Sequence, residues 1–132
     1  MIDSILIPSG VHLGIGMAVM LTTLASLVVA AVFGARKLTL PRWALGLFIL
    51  TQVVVAAQLL VGIKLLDQGL GPLQLYVHYL GGTGVLFFYL LFYWLPTPTR
   101  TGRWTPTVIT GLAFAFAMMT FTIGEMYVAG GA

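Results

Sequence analysis

His12 and His78 are the two histidines of this chain, and each sits near the start of a long apolar run, in VHLGIGMAVM and LYVHYLGGTG. Each is followed four residues later by a glycine, Gly16 and Gly82, the second with Gly81 beside it. On a helix, positions i and i+4 share a face, so each imidazole would have bare backbone one turn away. A neutral imidazole is a common metal ligand. Two of them on facing helices, with small residues alongside, suit a flat ligand such as a porphyrin bound through its metal. The other side chains able to do chemistry are Gln52, Gln58, Lys64 and Glu125.

Each of these has a plainer reading. His12, so close to the start of its run, can be an interfacial side chain that keeps its polar end in water. His78 can be a structural hydrogen-bonding residue. Glycines in membrane helices often serve close packing alone, and GGTG lacks the flanking strand of a phosphate loop. Glu125 can pair with Lys64 across the bundle, accept protons at a quinol or substrate site, or couple transport. The aromatic cluster Phe87, Phe88, Tyr89, Phe92 and Tyr93 is expected to face lipid or the interface, and Met118 and Met119 to pack.

The elements that must position these groups follow from composition. In 132 residues, 60% are hydrophobic and 7% charged, with a mean hydropathy of +1.07. A soluble domain carries about 25% charged residues, so this is an integral membrane chain. It has no cysteine, which excludes disulfide exchange, thiolate metal sites and covalent haem attachment through C-x-x-C-H. Apolar runs at about 11–34, 43–66, 73–95 and 106–129 each exceed the roughly 20 residues a spanning helix needs. They lack the alternation of barrel strands, so the expected fold is an all-α four-helix membrane bundle, one transmembrane domain over 1–132 without a convincing repeat. Residues 1–10 have no basic n-region, so no cleavable signal peptide is expected. Pro8 and Ser9 are expected at the first turn, with the hydroxyl able to cap, and Pro41 to stop one helix and open the next.

Net charge is +3, and five of the six basic residues (Arg36, Lys37, Arg42, Arg100 and Arg103) fall in the first and third connections. Basic loops stay cytoplasmic, which predicts an N-out, C-out topology and argues against a nucleic-acid surface. Trp43, Trp94 and Trp104 then mark the inner interface. The same topology brings His12, His78, Gln58, Lys64 and Glu125 to the outer third of the membrane.

The order of features (a histidine opening one helix; Gln52, Gln58 and Gly62 as Q-x5-Q-x3-G on the next; a histidine opening the third; a closing helix) resembles one half of a haem A synthase-like protein. It is similar in plan to other bis-histidine membrane cytochromes. The resemblance covers the first three helices and implies that His12 and His78 are axial ligands of a single b-type haem. In the synthase pattern an acidic residue precedes the first histidine and an arginine follows it, where this chain has Ser9 and Leu13. The expectation is therefore an electron-transfer component without catalysis of its own. It would sit in a bacterial inner membrane within a larger complex or a homo-oligomer, with a quinone as candidate partner. Lys64 would meet propionates, and Glu125 and Gln58 would lie on the proton or quinone side. The rival expectation is an accessory subunit that binds lipid or pigment, with one histidine on a chlorophyll magnesium; a small transporter using Glu125 is a third.

Overall fold

A computed structural model describes residues 4–70 and 76–129. Four long helices form the bundle: α1 Ser9–Ala35, α2 Arg42–Asp67, α3 Tyr76–Trp94 and, after the single turn α4 Thr97–Arg100, α5 Thr105–Ala129. All four are long and apolar enough to cross a membrane, and no strand occurs among the described residues. Helices satisfy every backbone group internally, which the hydrocarbon core demands. The expected start of the third helix near Leu73 lies outside the described residues.

The helix ends have local causes. Pro8 and Pro41 occupy the N-cap positions of α1 and α2, and their carbonyls accept from Val11 and Ala44. No side-chain cap forms at α1, so Ser9 is its first helical residue and not its cap. The end of α1 comes well before Pro41. The N–H of Lys37 bonds Gly34 O and that of Leu38 bonds Phe33 O, the paired bonds of a Schellman ending. α2 ends in the same way through Gly69 and Leu70, bonded to Leu66 O and Leu65 O.

Side chains then tie the ends together. The Nε of Arg103 donates to Gly34 O at 2.8 Å and an Nη to Ala35 O at 3.4 Å, a cation on the carbonyl end of α1 where the helix dipole favours it. At the other end Gln68 accepts from Ile7 N at 2.7 Å and donates to Ile7 O at 2.9 Å, holding the N-terminal segment against the end of α2.

α1 packs on α2 and α5, and α3 packs on α5 and more thinly on α2. The order around the bundle is therefore α2, α1, α5, α3, with α1 and α3 on opposite corners. The central core joins Val19, Phe48, Val55, Val85, Tyr89, Phe92 and Ile109. Tyr89 and Phe92 are buried here, edge-on to Phe48 with ring centres 5.8 and 5.5 Å away. That corrects the lipid-facing expectation for these two, whereas Phe87 is exposed. They lie on the same α3 face as Gly81 and Val85 at helical spacing, so the close-packed side of α3 carries them inward. Met118 is exposed on the lipid side, while Met119 packs toward Gly81.

Three buried threonine hydroxyls are satisfied by bonding back one turn: Thr23 to Val19 O, Thr51 to Leu47 O and Thr110 to Pro106 O. Ser26 and Thr51 also meet each other at 3.1 Å between α1 and α2. Trp43, Trp94 and Trp104 are exposed, all at the basic end of the bundle, as an interfacial belt would be.

Candidate functional site

His12 on α1 and His78 on α3 meet across the diagonal of the bundle, with ring centres 6.1 Å apart and planes inclined by 52°. Helices on opposite corners both aim into the core, and both histidines lie in the first turns of their helices, at the same end. The chain order that alternates up and down brings them level.

Each ring is held by the helix that follows in its own hairpin. The Nδ1–H of His78 donates to the carbonyl of Thr120 on α5 at 2.9 Å. A carbonyl only accepts, so in the neutral ring Nε2 carries the lone pair. The amide nitrogen of Gln58 on α2 lies 3.2 Å from Nε2 of His12 and donates to it, which leaves the proton on Nδ1 there as well. Both rings thus hold their lone pair on the same nitrogen.

Each ring also lies against a glycine. A Cβ on Gly62 would come within 3.2 Å of Cε1 of His12, and one on Gly124 within 3.2 Å of Cε1 of His78. Gly62 follows Gln58 by four residues and Gly124 follows Thr120 by four. The α1–α2 and α3–α5 hairpins therefore repeat one arrangement, a histidine facing a glycine with its hydrogen-bond partner one turn earlier. Sequence reasoning saw no repeat. It named Gly62 only within a resemblance, and it missed Thr120 and Gly124. The matching spacings Gln58–Gly62 and Thr120–Gly124 were the available signal, hidden because the partner on α5 is a backbone carbonyl.

Gly16, Gly81 and Gly82 behave otherwise than expected. They are not open patches: Gln58 and Phe121 cover Gly16, Thr120 and Met119 cover Gly81, and Leu59 covers Gly82. With no methyl groups there, α1 approaches α2 and α5, and α3 approaches α5 at Gly81 and α2 at Gly82, until those side chains nest on bare backbone. Every covering atom belongs to a side chain.

Lys64 is paired with Asp67 on its own helix at 2.8 Å, both largely buried. Glu125 is exposed on α5 and makes no ion pair among the described residues. The cross-bundle Lys64–Glu125 pair is therefore not formed, because Asp67 three residues on takes the ammonium at shorter reach. Gln52 lies away from the site, bonded to Phe48 O at 3.0 Å.

Two buried polar atoms at the centre lack a partner: Nδ1 of His12 and Oε1 of Gln58. Each costs about 1–3 kcal/mol, so this corner holds more hydrogen-bonding capacity than the bundle uses. No cluster of three or more metal-ligating side chains occurs among the described residues.

Fold and site define the class of this protein: a four-helix membrane bundle with a histidine pair on its diagonal near one end. Comparison with protein-family models, curated proteins and solved structures finds no match. The functional reading rests on the geometry above.

Proposed function

We propose that this chain binds one b-type haem, with His12 and His78 as its two axial ligands, and serves as an electron-transfer component of the membrane. The observation that carries this is the 6.1 Å spacing of the two rings across the diagonal. Two imidazoles on opposite sides of one ion, each at a metal–nitrogen distance of about 2.0–2.1 Å, set their ring centres roughly 6 Å apart. The lone pairs support the reading, since both rings carry theirs on Nε2, and Nδ1 of His78 is oriented by a carbonyl as ligating histidines usually are.

The fit of a macrocycle is set by what surrounds the pair. The glycines near the pair, Gly16, Gly81 and Gly82, are covered by the side chains of Gln58, Leu59, Met119, Thr120 and Phe121, while the rings themselves rest on Gly62, Gly124 and the Thr120 carbonyl. A flat ligand is therefore accommodated by turning side chains aside. Gln58 would give up its bond to Nε2 of His12. A bound haem supplies one-electron redox chemistry, and two protein ligands leave its iron no open position for oxygen. Lys64, two residues beyond Gly62, would be the cation at the propionate edge. A quinone or other redox partner would approach from the end where Glu125 is exposed.

The test is a reduced-minus-oxidised absorption spectrum of the purified protein. A narrow low-spin band is expected, lost in both His12→Ala and His78→Ala while circular dichroism shows the helices intact. A colourless wild-type protein, or a band that survives loss of either histidine, overturns the reading. In that event the pair is a packing and hydrogen-bonding element of an accessory subunit.

A further inference from the structure

We propose that the opposite, basic end of the bundle holds a binding site for an anionic phospholipid. A cavity of about 590 Å³ opens there, among the end of α1, the α1–α2 loop, the end of α3 and the α4 turn. That size lies within the roughly 300–1,000 Å³ of small-molecule sites. Phe33, Phe92 and Tyr93 line its apolar part, and Lys37, Arg100 and Arg103 its polar part. No acidic side chain lines it. Among the described residues Lys37 and Arg100 have no acidic partner, while Asp67 and Glu125 lie toward the other end of the bundle. Three cations over an apolar floor, at the depth of the tryptophan belt, match a phosphate headgroup with its acyl chains alongside. Basic pockets between membrane helices on the cytoplasmic side bind such headgroups, and the loop charges give this end that orientation.

Lys37 adds a separate argument. It adopts φ 57° in the turn that ends α1, while the equivalent turn of α2 has Gly69 at φ 75°. Left-handed backbone suits glycine and strains a lysine. α2 uses the unstrained residue and α1 does not, and the lysine so retained is one of the three cations of the cavity. Strain of this kind collects at binding sites.

The test uses the full chain in detergent, titrated with phosphatidylglycerol, phosphatidylcholine and inorganic phosphate and read by native mass spectrometry. Phosphatidylglycerol should bind and survive transfer, with phosphatidylcholine and phosphate far weaker. The Lys37→Gln/Arg100→Gln variant should bind phosphatidylglycerol on the order of 30-fold more weakly, from the contribution each basic residue makes near an anionic headgroup. The Arg36→Gln/Arg42→Gln variant removes the same charge from the same face but outside the cavity, and should bind as wild type. Lys37→Gly relieves the turn, so its weaker binding would not reflect unfolding. Equal weakening by the two double variants, or equal binding of phosphatidylcholine or of free phosphate, overturns the proposal. None of these outcomes depends on haem.

Discussion

The backbone carbonyl of Thr120 takes the Nδ1 proton of His78 at 2.9 Å, and the hydroxyl of the same threonine nests over Gly81, one turn along α3 from that histidine. The orientation of His78 is thus tied to the closeness of α3 and α5. A methyl at position 81 would overlap the Thr120 hydroxyl and press on Met119 Cε at 3.0 Å. Gly81→Ala should therefore force the helices apart and cost about 1–3 kcal/mol, read as a lower unfolding temperature in detergent together with loss of any bound haem. Adding Thr120→Ala clears the hydroxyl but keeps the carbonyl, so the double variant should recover part of both. Additive losses would show that the two positions are not coupled.

Gly62 and Gly124 set how far each imidazole can sit from the bundle axis. A valine at either position would push its ring inward, off the 6.1 Å spacing. Gly62→Val and Gly124→Val should each reduce haem retention at least tenfold in a competition assay against apomyoglobin, while Gly46→Ala, where nothing lies within 4 Å, should leave it unchanged. Retention unaffected at both positions would mean the rings do not need this seating.

Arg103 ties the loop before α5 to the end of α1 through Gly34 O and Ala35 O. Hydrogen bonds to a charged group contribute about 1.5–3 kcal/mol, so Arg103→Ala should lower stability by roughly that amount. Lysine lacks the two-pronged donor, and Arg103→Lys should restore less than half of the loss. A fully stable Arg103→Lys would show that only charge matters there.

The hydroxyl of Tyr89 is buried near the middle of the bundle beside the hydroxyls of Ser26 and Thr51, but outside good hydrogen-bonding geometry with either. Leaving such a group unpaired costs about 1–3 kcal/mol. Tyr89→Phe keeps the ring against Phe48 and removes the orphan, and should leave the protein as stable or more so in thermal unfolding. Ser26→Ala, which instead strips Thr51 of a partner at 3.1 Å, should destabilise it. The reverse ranking would mean that the Tyr89 hydroxyl is satisfied.

The chain has no cysteine, so single cysteines report sidedness cleanly. Thr101→Cys in the basic connection and Leu70→Cys just beyond α2 are both at exposed positions. In cells, a membrane-impermeant maleimide should label the second and spare the first. Labelling of both from outside would overturn the positive-inside assignment.

What the chain determined by itself was the number, nature and polarity of its elements. Four runs long enough to span, too apolar for water and without strand alternation, can only be helices in hydrocarbon, and their ends fell within two residues of expectation wherever they are described. Basic loops and tryptophans marked one end, and up-down alternation put both histidines at the other. Tertiary structure alone decided which faces turn inward. Almost every position of these helices is apolar, so periodicity carried little sign of which side packs on protein and which on lipid. Hence Tyr89 and Phe92 were misjudged, and Gly16, Gly81 and Gly82 proved to receive neighbouring side chains. The seats of the two imidazoles, Gly62 and Gly124, and the Thr120 carbonyl lie on other helices. A backbone acceptor leaves no mark in sequence, and the pairing of α1 with α3 across a diagonal follows from how the helices pack together, which no single segment encodes.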